Sequence, residues 1–265
     1  MMLTFRDFLN SFRKLDLGRN PIIAHASLSA FGDVKGGADT IVGAMLAVYN
    51  SVMVPTFTYR TMVIPKVGPP DNGITYGSGS EANKMAEFYR PDMPADKFMG
   101  IIAEILRQHP KAKRSMHPIY SFSGVNVEEA LQAQTLEDPF GPIQKLTEAN
   151  GWVLLMGVDH TANTSIHYAE QVAGRKQFIR WALTPQGIVL CPRWPGCSHG
   201  FNKVSPILAG VTRKVILGQG TLQAIALTDL VDTVQGMIVK DPQALLCNDT
   251  GCERCRINRN NHSGH

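Results

Sequence analysis

The stretch "GWVLLMGVDHTANTSIHYAE", residues 151–170, decides the fold class of this chain. Its first half is almost entirely apolar, as in a strand that is buried on both faces of a sheet. The small polar residues that follow can cap a helix, and "SIHYAE" continues as that helix. Because a buried strand that leads directly into a helix is the repeating unit of α/β proteins, the stretch predicts an α/β fold.

The segments before this stretch show the same alternation. Apolar residues from Phe5 to Leu15 recur at helical spacing behind a possible N-cap, Thr4. "PIIAHA" and "SVMVP" indicate buried strands on either side of a helix, "ADTIVGAMLAVY". Residues 56–95 have no regular pattern, so this long segment is a candidate lid or substrate loop. "DKFMGIIAEILRQH" then predicts a helix with Asp96 in its first turn.

The character of the chain changes after Gly174. "QFIRWAL" and "GIVLCPRW" flank the turn "TPQG" and predict an antiparallel hairpin. A strand at "RKVILG" and a helix at "LTDLVDTVQGMIV" are expected next. The pattern therefore predicts a mostly parallel first half and a mixed second half.

Composition and charge exclude several classes of protein. The 265 residues are 44% hydrophobic and 18% charged, which is typical of a folded globular chain. The net charge of +4 is spread out and forms no basic stripe, so we expect no nucleic-acid binding. No apolar run approaches the roughly 20 residues that span a bilayer, and the charged first segment is not a signal peptide. We therefore expect no membrane partner and a cytoplasmic location.

His167 and Glu170 are the first candidates for chemistry. Three positions apart on a helix, they share one face, where the carboxylate can fix the imidazole tautomer and make it a general base. Thr161, Thr164 and Ser165 precede them, where hydroxyls and free backbone N–H groups could hold an oxyanion. Two other interpretations stay open: a capped helix with an ordinary His–Glu pair, and a metal site formed by His160, His167 and Glu170.

His25 is a further candidate because it lies at the end of the first predicted strand. Ligands of α/β proteins bind at the carboxyl ends of strands, beside the loops that lead into helices. The loop "ASLSAFG" after His25 could offer backbone N–H groups to a ligand. Its later "GG" matches neither a P-loop nor a dinucleotide fingerprint.

Five motifs occur in an order that resembles a known family: "HASLSAFGDVKGGADTIVGAML", "VMVPTFT", "RSMHPIYSFSGVN", "DPFGPIQKLTEANGWVLLMGV" and "HTANTSIHYAE". They are similar to the aminoglycoside 3-N-acetyltransferases, the antibiotic N-acetyltransferase family, from about Ile22 to Gly174. The resemblance implies a three-layer αβα fold with a parallel or mixed central sheet and a smaller mixed C-terminal part. It also implies that residues 1–246 form a single acetyltransferase domain.

The resemblance implies acetyl transfer from acetyl-CoA to the 3-amino group of an aminoglycoside's 2-deoxystreptamine ring. His167 and Glu170 would then act as the base, with His25 also catalytic. The partners would be coenzyme A and a small-molecule amine, and the oligomeric state is left open. Two alternatives remain: a non-catalytic binder of coenzyme A or another small molecule, and a metal-dependent hydrolase. The residues expected to bind coenzyme A are Ser27, Leu28, Ser29, Arg114, Ser115, His117, Thr164 and Ser165.

The C-terminal residues 247–265 form a cysteine-rich tail. Cys247, Cys252 and Cys255 have a spacing typical of one half of a zinc site. Cys197 is the expected fourth ligand, with His199 as its substitute. Such a site would be structural, and the alternative is a set of reduced thiols in a flexible tail. We expect the basic end, "RINRNNHSGH", to be disordered.

Overall fold

The computed structural model describes residues 2–261, which contain ten α-helices and ten β-strands. The helices are α1 (Phe5–Leu15), α2 (Gly37–Val48), α3 (Ser80–Lys84), α4 (Gly100–Gln108), α5 (Glu128–Gln132), α6 (Gly141–Glu148), α7 (Ser165–Val172), α8 (Ser205–Leu208), α9 (Leu227–Lys240) and α10 (Glu253–Asn260). The strands are β1 (Ile22–Ala26), β2 (Val52–Pro55), β3 (Met62–Val63), β4 (Lys113–Arg114), β5 (Phe122–Val125), β6 (Trp152–Met156), β7 (Phe178–Thr184), β8 (Gly187–Trp194), β9 (Arg213–Leu217) and β10 (Gly220–Ala226). No helix within residues 2–261 has the length and apolar character needed to cross a membrane.

Seven strands form a mixed central sheet in the order β4-β5-β2-β1-β6-β10-β9. Two of its strand pairs are parallel, β1 with β2 and β1 with β6, and its remaining pairs are antiparallel. The predicted mixed sheet is confirmed, but the prediction of a mostly parallel first half was wrong. The strand β5 is buried on both faces like a parallel strand, and burial alone does not reveal strand direction.

Two apolar layers cover the central sheet, as the αβα prediction requires. Alternate residues of β1 point to opposite faces, so Ile22 packs toward α1, α2 and α4, whereas Ile23 packs toward α6, α7 and α9. A smaller antiparallel sheet, in the order β3-β7-β8, joins the second layer. Its strand β3 comes from the long loop at residues 56–95, so this sheet is not purely C-terminal.

Helix α1 begins where the sequence predicts. The side-chain hydroxyl and the backbone N–H of Thr4 both donate to Oδ2 of Asp7, at 2.7 and 2.8 Å. This arrangement fixes the first turn by satisfying the backbone N–H that precedes the helix. The buried face of α1 carries Phe8, Phe12 and Leu15, at the predicted helical spacing.

One predicted helix differs in the structure, and one strand was not predicted. Asp96 does not lie inside a long helix but caps a short 3₁₀ turn, Lys97–Met99, and α4 begins only at Gly100. Gly100 has φ of +80° and ψ of 162°, a conformation that interrupts the helix. The strand β10 was also missed because its residues, "GTLQAIA", contain a glycine and small side chains, which weaken the strand pattern.

The cysteine-rich tail packs onto the rest of the chain. Helix α10 buries Cys255, Ile257 and Asn258, and Ile257 belongs to the same apolar core as Phe201. The predicted disorder of the basic end was therefore wrong for residues 256–261, because an apolar side chain anchors this part of the chain. Residues 262–265 lie outside the described residues. The domain division at residue 247 stays a prediction.

Candidate active site

A cavity lies at the carboxyl ends of the three parallel strands. It has a volume of about 270 Å³, and its lining includes His25 and Ala26 of β1, Pro55 of β2 and, beyond the end of β6, Val158. We call it the central cavity. Helix α7 presents His167 to it, so the strand and helix of residues 151–170 meet at this space. This is the edge of an α/β sheet where ligands bind.

His167 belongs to a chain of three polar side chains. Its Nδ1 lies 2.8 Å from Oε2 of Glu170, and Oε1 of the same carboxylate lies 2.6 Å from Nη1 of Arg175. Glu170 and Arg175 are buried, and two further carbonyls, of Pro242 and Ala244, accept from Nη2 of Arg175. The guanidinium compensates the buried carboxylate charge, which would otherwise carry a large desolvation cost.

Two aromatic rings hold the imidazole in place. The ring of Phe140 is nearly parallel to that of His167 at 6.4 Å, and the ring of Phe201 meets it edge-on at 4.7 Å. Both phenylalanines are fully buried. Because Glu170 accepts at Nδ1, the neutral imidazole carries its proton there, and Nε2 is left free to take a proton from another group.

His25 lies on the floor of the central cavity as a neutral imidazole. Burial lowers the pKa of His25 to about 3, since nothing nearby compensates a charge. Within the described residues its Nε2 has no hydrogen-bond partner. His25 therefore cannot serve as a charged group near neutral pH, but it can donate to or accept from a ligand.

The start of α7 differs from the prediction of free backbone N–H groups. The N–H of Ser165 donates to Oδ1 of Asn163, that of Ile166 to the Asn163 carbonyl, and that of His167 to the Thr164 carbonyl. The prediction was wrong for these three groups, because the Asn163 side chain accepts the first N–H and the tight first turn brings backbone carbonyls to the other two. Thr164 lines the central cavity, whereas Ser165 is fully buried.

The loop before α7 is braced by its own polar groups. Asp159 accepts hydrogen bonds from Thr161 and from Nδ2 of Asn202, whose Oδ1 accepts from the N–H of His160. Burial would raise the pKa of Asp159, but the hydrogen bonds outweigh it and lower that pKa. Burial also lowers the pKa of His160, whose Nδ1 lies 3.3 Å from Nδ2 of Asn163.

The metal interpretation of His160, His167 and Glu170 was wrong. Among residues 2–261, the only group of three or more His, Cys, Asp or Glu residues close enough to hold a metal ion consists of four cysteines. His160 has turned to Asn163 instead, and Glu170 is occupied by His167 and Arg175. The His–Glu pair therefore has the geometry of a base and its partner rather than that of a metal site.

Several predicted coenzyme A residues lie away from the central cavity. Ser27, Leu28 and Ser29 follow β1 beyond its lining residues, and the hydroxyls of Ser27 and Ser29 lie 3.1 Å apart. Arg114 donates to the carbonyls of Thr56 and Met93, so it ties the long loop to the end of β2. These contacts give Arg114 a clear structural role.

Ser115 and His117 are also engaged within the protein. The hydroxyl of Ser115 accepts from the N–H of Phe122, and Nδ1 of His117 accepts from the N–H groups of Ile119 and Tyr120. Burial lowers the pKa of His117 to about 4. His117 thus shapes the turn that brings Tyr120 to the cavity wall.

A second, more open space adjoins the central cavity. We call it the side cleft; it has a volume of about 410 Å³, and its lining includes Trp194, His199 and Arg254. Tyr59, Tyr120, His167 and Ser198 line both spaces. Among the described residues, those that line the two spaces include no Asp or Glu. His167 therefore stands where two ligands could meet.

Sequence reasoning missed several residues of this site. Arg175 follows Gly174 at the end of α7, where a basic residue is common for reasons of the helix dipole, so its position carried no special signal. Phe201 reaches His167, and Tyr120 reaches the wall of the same cavity, from distant parts of the chain. No local pattern could have predicted these contacts.

The four predicted cysteines come together near the side cleft. The Sγ atoms of Cys197, Cys247, Cys252 and Cys255 all lie within 4.8 Å of one another. We call this group the cysteine cluster. The hydrogen bond from Cys255 lowers the pKa of Cys197 to about 4, and the same contact raises the pKa of Cys255. His199 contributes its N–H to Sγ of Cys197 at 3.4 Å rather than a ring nitrogen to the cluster.

The sequence matches one known protein family over most of its length. The model of the family described as aminoglycoside 3-N-acetyltransferase matches residues 23–238. The chain belongs to the aminoglycoside 3-N-acetyltransferase family. The match confirms the resemblance found in the motifs and extends it past Gly174, because the second half of the chain also follows the family pattern. It does not favour the non-catalytic binder or the hydrolase.

Named relatives in this family are acyltransferase enzymes or proteins like them. Aminoglycoside N(3)-acetyltransferase III of Salmonella sp is 30% identical over 202 residues, which cover 70% of this chain and 67% of that protein. The aminoglycoside N(3')-acetyltransferase-like protein YokD of Bacillus subtilis (strain 168) is 31% identical over 163 residues. That alignment covers 56% of this chain and 57% of the relative, which is less than two thirds of either.

Solved structures confirm the fold. The apoenzyme of aminoglycoside acetyltransferase AAC(3)-IVa has a TM-score of 0.78 at 22% identity, with 98% of each chain covered. The complex of AAC-IIIb with CoASH has a TM-score of 0.73 at 21% identity and covers 91% of this chain and 97% of the other. The predicted three-layer α/β architecture is therefore the architecture of the family.

Proposed function

We propose that this protein transfers the acetyl group of acetyl-CoA to an amine of an aminoglycoside. The observation that carries the proposal is the hydrogen-bonded series His167–Glu170–Arg175, in which a buried ion pair presents one imidazole to two adjoining spaces. The names of the relatives support the acceptor class, and the CoASH complex of AAC-IIIb supports the donor. The predicted acceptor position is the 3-amino group of the 2-deoxystreptamine ring.

The two spaces suit the two substrates. The central cavity is lined largely by apolar side chains, among them Ile102 and Phe140, and it fits the acetyl-pantetheine arm. The side cleft is more polar and more open, and it fits an amine acceptor. We assign His25 and Thr164 to the thioester side of His167. The roles of Ser27, Leu28, Ser29, Arg114, Ser115, His117 and Ser165 stay predictions.

The reaction follows from the position of Nε2. A protonated amine has no lone pair, so Nε2 of His167 first removes its proton, and Glu170 stabilises the imidazolium that forms. The free amine then attacks the thioester carbonyl to form a tetrahedral intermediate. We assign the hydroxyl of Thr164 to its oxyanion. When the carbon–sulfur bond breaks, the departing thiolate takes the proton from His167 and leaves as coenzyme A. The nitrogen of the new amide gives its surplus proton to the freed Nε2, which releases it to solvent.

Replacement of His167 tests this proposal. We expect His167→Ala to lower turnover by about 10²–10⁴-fold, since a positioned base contributes that much, and to leave coenzyme A binding unchanged. Thiol release from acetyl-CoA is followed with a panel of aminoglycosides that have or lack the 3-amino group, and the product is identified by mass spectrometry. His109→Ala, outside both spaces, is the matched control. Equal turnover in both variants would refute the base assignment.

We also propose that the cysteine cluster holds a structural Zn²⁺. Four thiolates at 2.3 Å from a tetrahedral ion lie about 3.8 Å apart, and the four Sγ atoms already lie within 4.8 Å of one another. Sγ of Cys247 and of Cys255 are 3.4 Å apart, so little movement is required. The predicted cytoplasmic location stays a prediction; it would keep these thiols reduced.

Metal analysis tests the zinc proposal. Protein purified without a nickel column should contain about one zinc per chain, and Cys252→Ser should lose it. Cys191→Ala is the control, because Cys191 is a free buried cysteine outside the cluster. A zinc content near zero in the unaltered protein would show that the cluster is only a set of thiols.

A further inference from the structure

The cysteine cluster joins three segments of the chain. Cys197 follows β8, Cys247 follows α9, and Cys252 and Cys255 lie at the start of α10. Two of these segments continue to contacts with the chain His167–Glu170–Arg175. The cluster therefore has structural connections to the proposed base.

The first connection runs from Cys197 to the ring of His167. The carbonyl of Ser198 accepts the N–H of Phe201 at 3.0 Å, which closes a turn directly after Cys197. The ring of Phe201 then packs edge-on against the ring of His167 at 4.7 Å. Because Phe201 is fully buried, a displacement of Cys197 would be passed to the imidazole.

The second connection runs from Cys247 to Glu170. The carbonyls of Pro242 and Ala244 accept from Nη2 of Arg175 at 3.0 and 2.6 Å, shortly before Cys247. Nη1 of Arg175 in turn binds Glu170. The position of the segment before Cys247 therefore sets the position of the carboxylate that orients His167.

The two connections lock together at Gly200. A Cβ atom at Gly200 would lie 2.2 Å from the carbonyl oxygen of Leu245, so the segments touch where a side chain would separate them. Nζ of Lys203 also donates to the carbonyl of Leu246 at 2.7 Å. Together with the cysteines, these contacts join the two segments that support His167 and the Glu170–Arg175 pair.

We infer that the metal-loaded cysteine cluster is a positioning device for His167 and Glu170, and not only a fastener for the tail. The inference rests on the proposed base role of His167. When the metal is lost, the four thiols no longer share one bonding centre, and the turn at Ser198 and the segment before Cys247 become free to move apart. The hydrogen bond between His167 and Glu170 then weakens.

The first experiment compares the full chain loaded with zinc and stripped of it by a chelator. The hydrogen-bonded Nδ1–H of His167 should give a downfield proton resonance, assigned by its loss in His167→Ala. We expect this resonance to broaden or shift in the metal-free chain. Turnover should fall about 10- to 100-fold, because small misplacements of reacting groups have effects of that size, while coenzyme A affinity is retained.

The two readouts separate failure of the inference from failure of the proposed function. If no amine is acetylated, the proposed function fails, yet the resonance still reports whether the cluster positions the imidazole. If the resonance and turnover are the same with and without metal, the inference is overturned.

The second experiment pushes the turn after Cys197 away from the segment before Cys247 without replacing a cysteine. Gly200→Ala should keep its zinc but lose turnover and alter the pH profile of kcat, because the added methyl group would collide with Leu245. Gly210→Ala is the matched control, since a Cβ at Gly210 meets no atom within 4 Å. A Gly200→Ala variant with the turnover and pH profile of the control would overturn the inference.

Discussion

At the scale of single residues, the site depends on how Glu170 divides its two oxygens. One oxygen orients His167, and the other meets Arg175, so the carboxylate has the proposed base as one partner and a buried guanidinium as the other. A change that keeps the shape of Glu170 but removes its charge affects both. An amide has one acceptor oxygen, so it cannot accept from both Nδ1 of His167 and Nη1 of Arg175, and the guanidinium is left buried without a counter-charge.

We therefore expect Glu170→Gln to impair both catalysis and stability. Turnover should fall by about 10²–10⁴-fold, because the amide no longer fixes the imidazole tautomer or stabilises the imidazolium. The free energy of unfolding should fall by about 3–5 kcal/mol, the usual cost of breaking a buried ion pair. Steady-state kinetics and urea unfolding measure the two effects. A variant with normal turnover would show that the carboxylate only supports the fold.

A second prediction at this scale concerns pH. The pKa of His25 is about 3 and that of His117 about 4, both lowered by burial from 6.5. The stability that these neutral imidazoles contribute is fully present above about pH 6.5, and it is lost as the pH falls toward their folded pKa values. Between these limits the unfolded state binds more protons than the folded state. Each histidine therefore lowers the unfolding free energy by about 1.4 kcal/mol for every unit by which the pH falls.

Urea unfolding between pH 7.5 and pH 5 tests this prediction. His117→Asn keeps a side-chain acceptor for the N–H groups of Ile119 and Tyr120 but cannot titrate. Its unfolding free energy should fall less steeply with decreasing pH than that of the unaltered protein. The same steepness in both proteins would contradict the assigned role of His117 in acid sensitivity.

At the scale of elements, the break before α4 shapes one wall of the central cavity. Gly100 adopts a conformation open almost only to glycine and lies against the carbonyl of Ala26, while Met99 and Ile102 line the cavity. The 3₁₀ turn and the helix therefore meet at an angle that a regular helix through residues 96–108 would not give.

We expect Gly100→Ala to lower the free energy of unfolding by about 1–3 kcal/mol, because alanine is strained in this conformation. The KM for acetyl-CoA should rise as the cavity wall shifts. Gly236→Ala in α9 is the matched control, since a Cβ there meets no atom within 4 Å. Equal unfolding midpoints for the two variants would contradict the strain argument.

Elements with a strong local pattern could be predicted, and elements defined by distant partners could not. The strand β6 and the helix α7 follow directly from the apolar run and polar start of residues 151–170. The direction of β5 depends on its partner β2, which leaves no trace in the local sequence. In the same way His167 and Glu170 were found by their spacing, whereas Arg175 and Phe201 matter only through contacts formed by folding.

At the scale of the whole molecule, the distribution of charge bears on the acceptor. Aminoglycosides are polycations, yet the described lining residues include no carboxylate, and Arg254 adds a positive charge to the side cleft. In the proposed arrangement, groups other than fixed negative charges would therefore hold the acceptor. The aromatic residues Tyr59, Tyr120 and Trp194 can contact its cationic groups through their ring faces.

Removal of the positive charge of Arg254 should improve binding of a polycation in the side cleft. We expect Arg254→Gln to lower the KM for an aminoglycoside several-fold at low salt, with a smaller effect at high salt, because exposed charges are screened. Arg256→Gln is the matched control, as Arg256 lies on the same helix, is exposed and pairs with Glu253. A higher KM in Arg254→Gln than in the control would show that Arg254 holds the acceptor instead of repelling it.

The shared wall between the two spaces has a consequence for the timing of the reaction. His167, Tyr59, Tyr120 and Ser198 border both spaces, so in the proposed arrangement the thioester and the amine meet beside one imidazole. An acetyl group can pass directly from sulfur to nitrogen there, with no stop on the protein. Acetyl-CoA held alone has no attacking partner at Nε2 except water, so the cycle waits for the acceptor, and the arrival of the amine starts it.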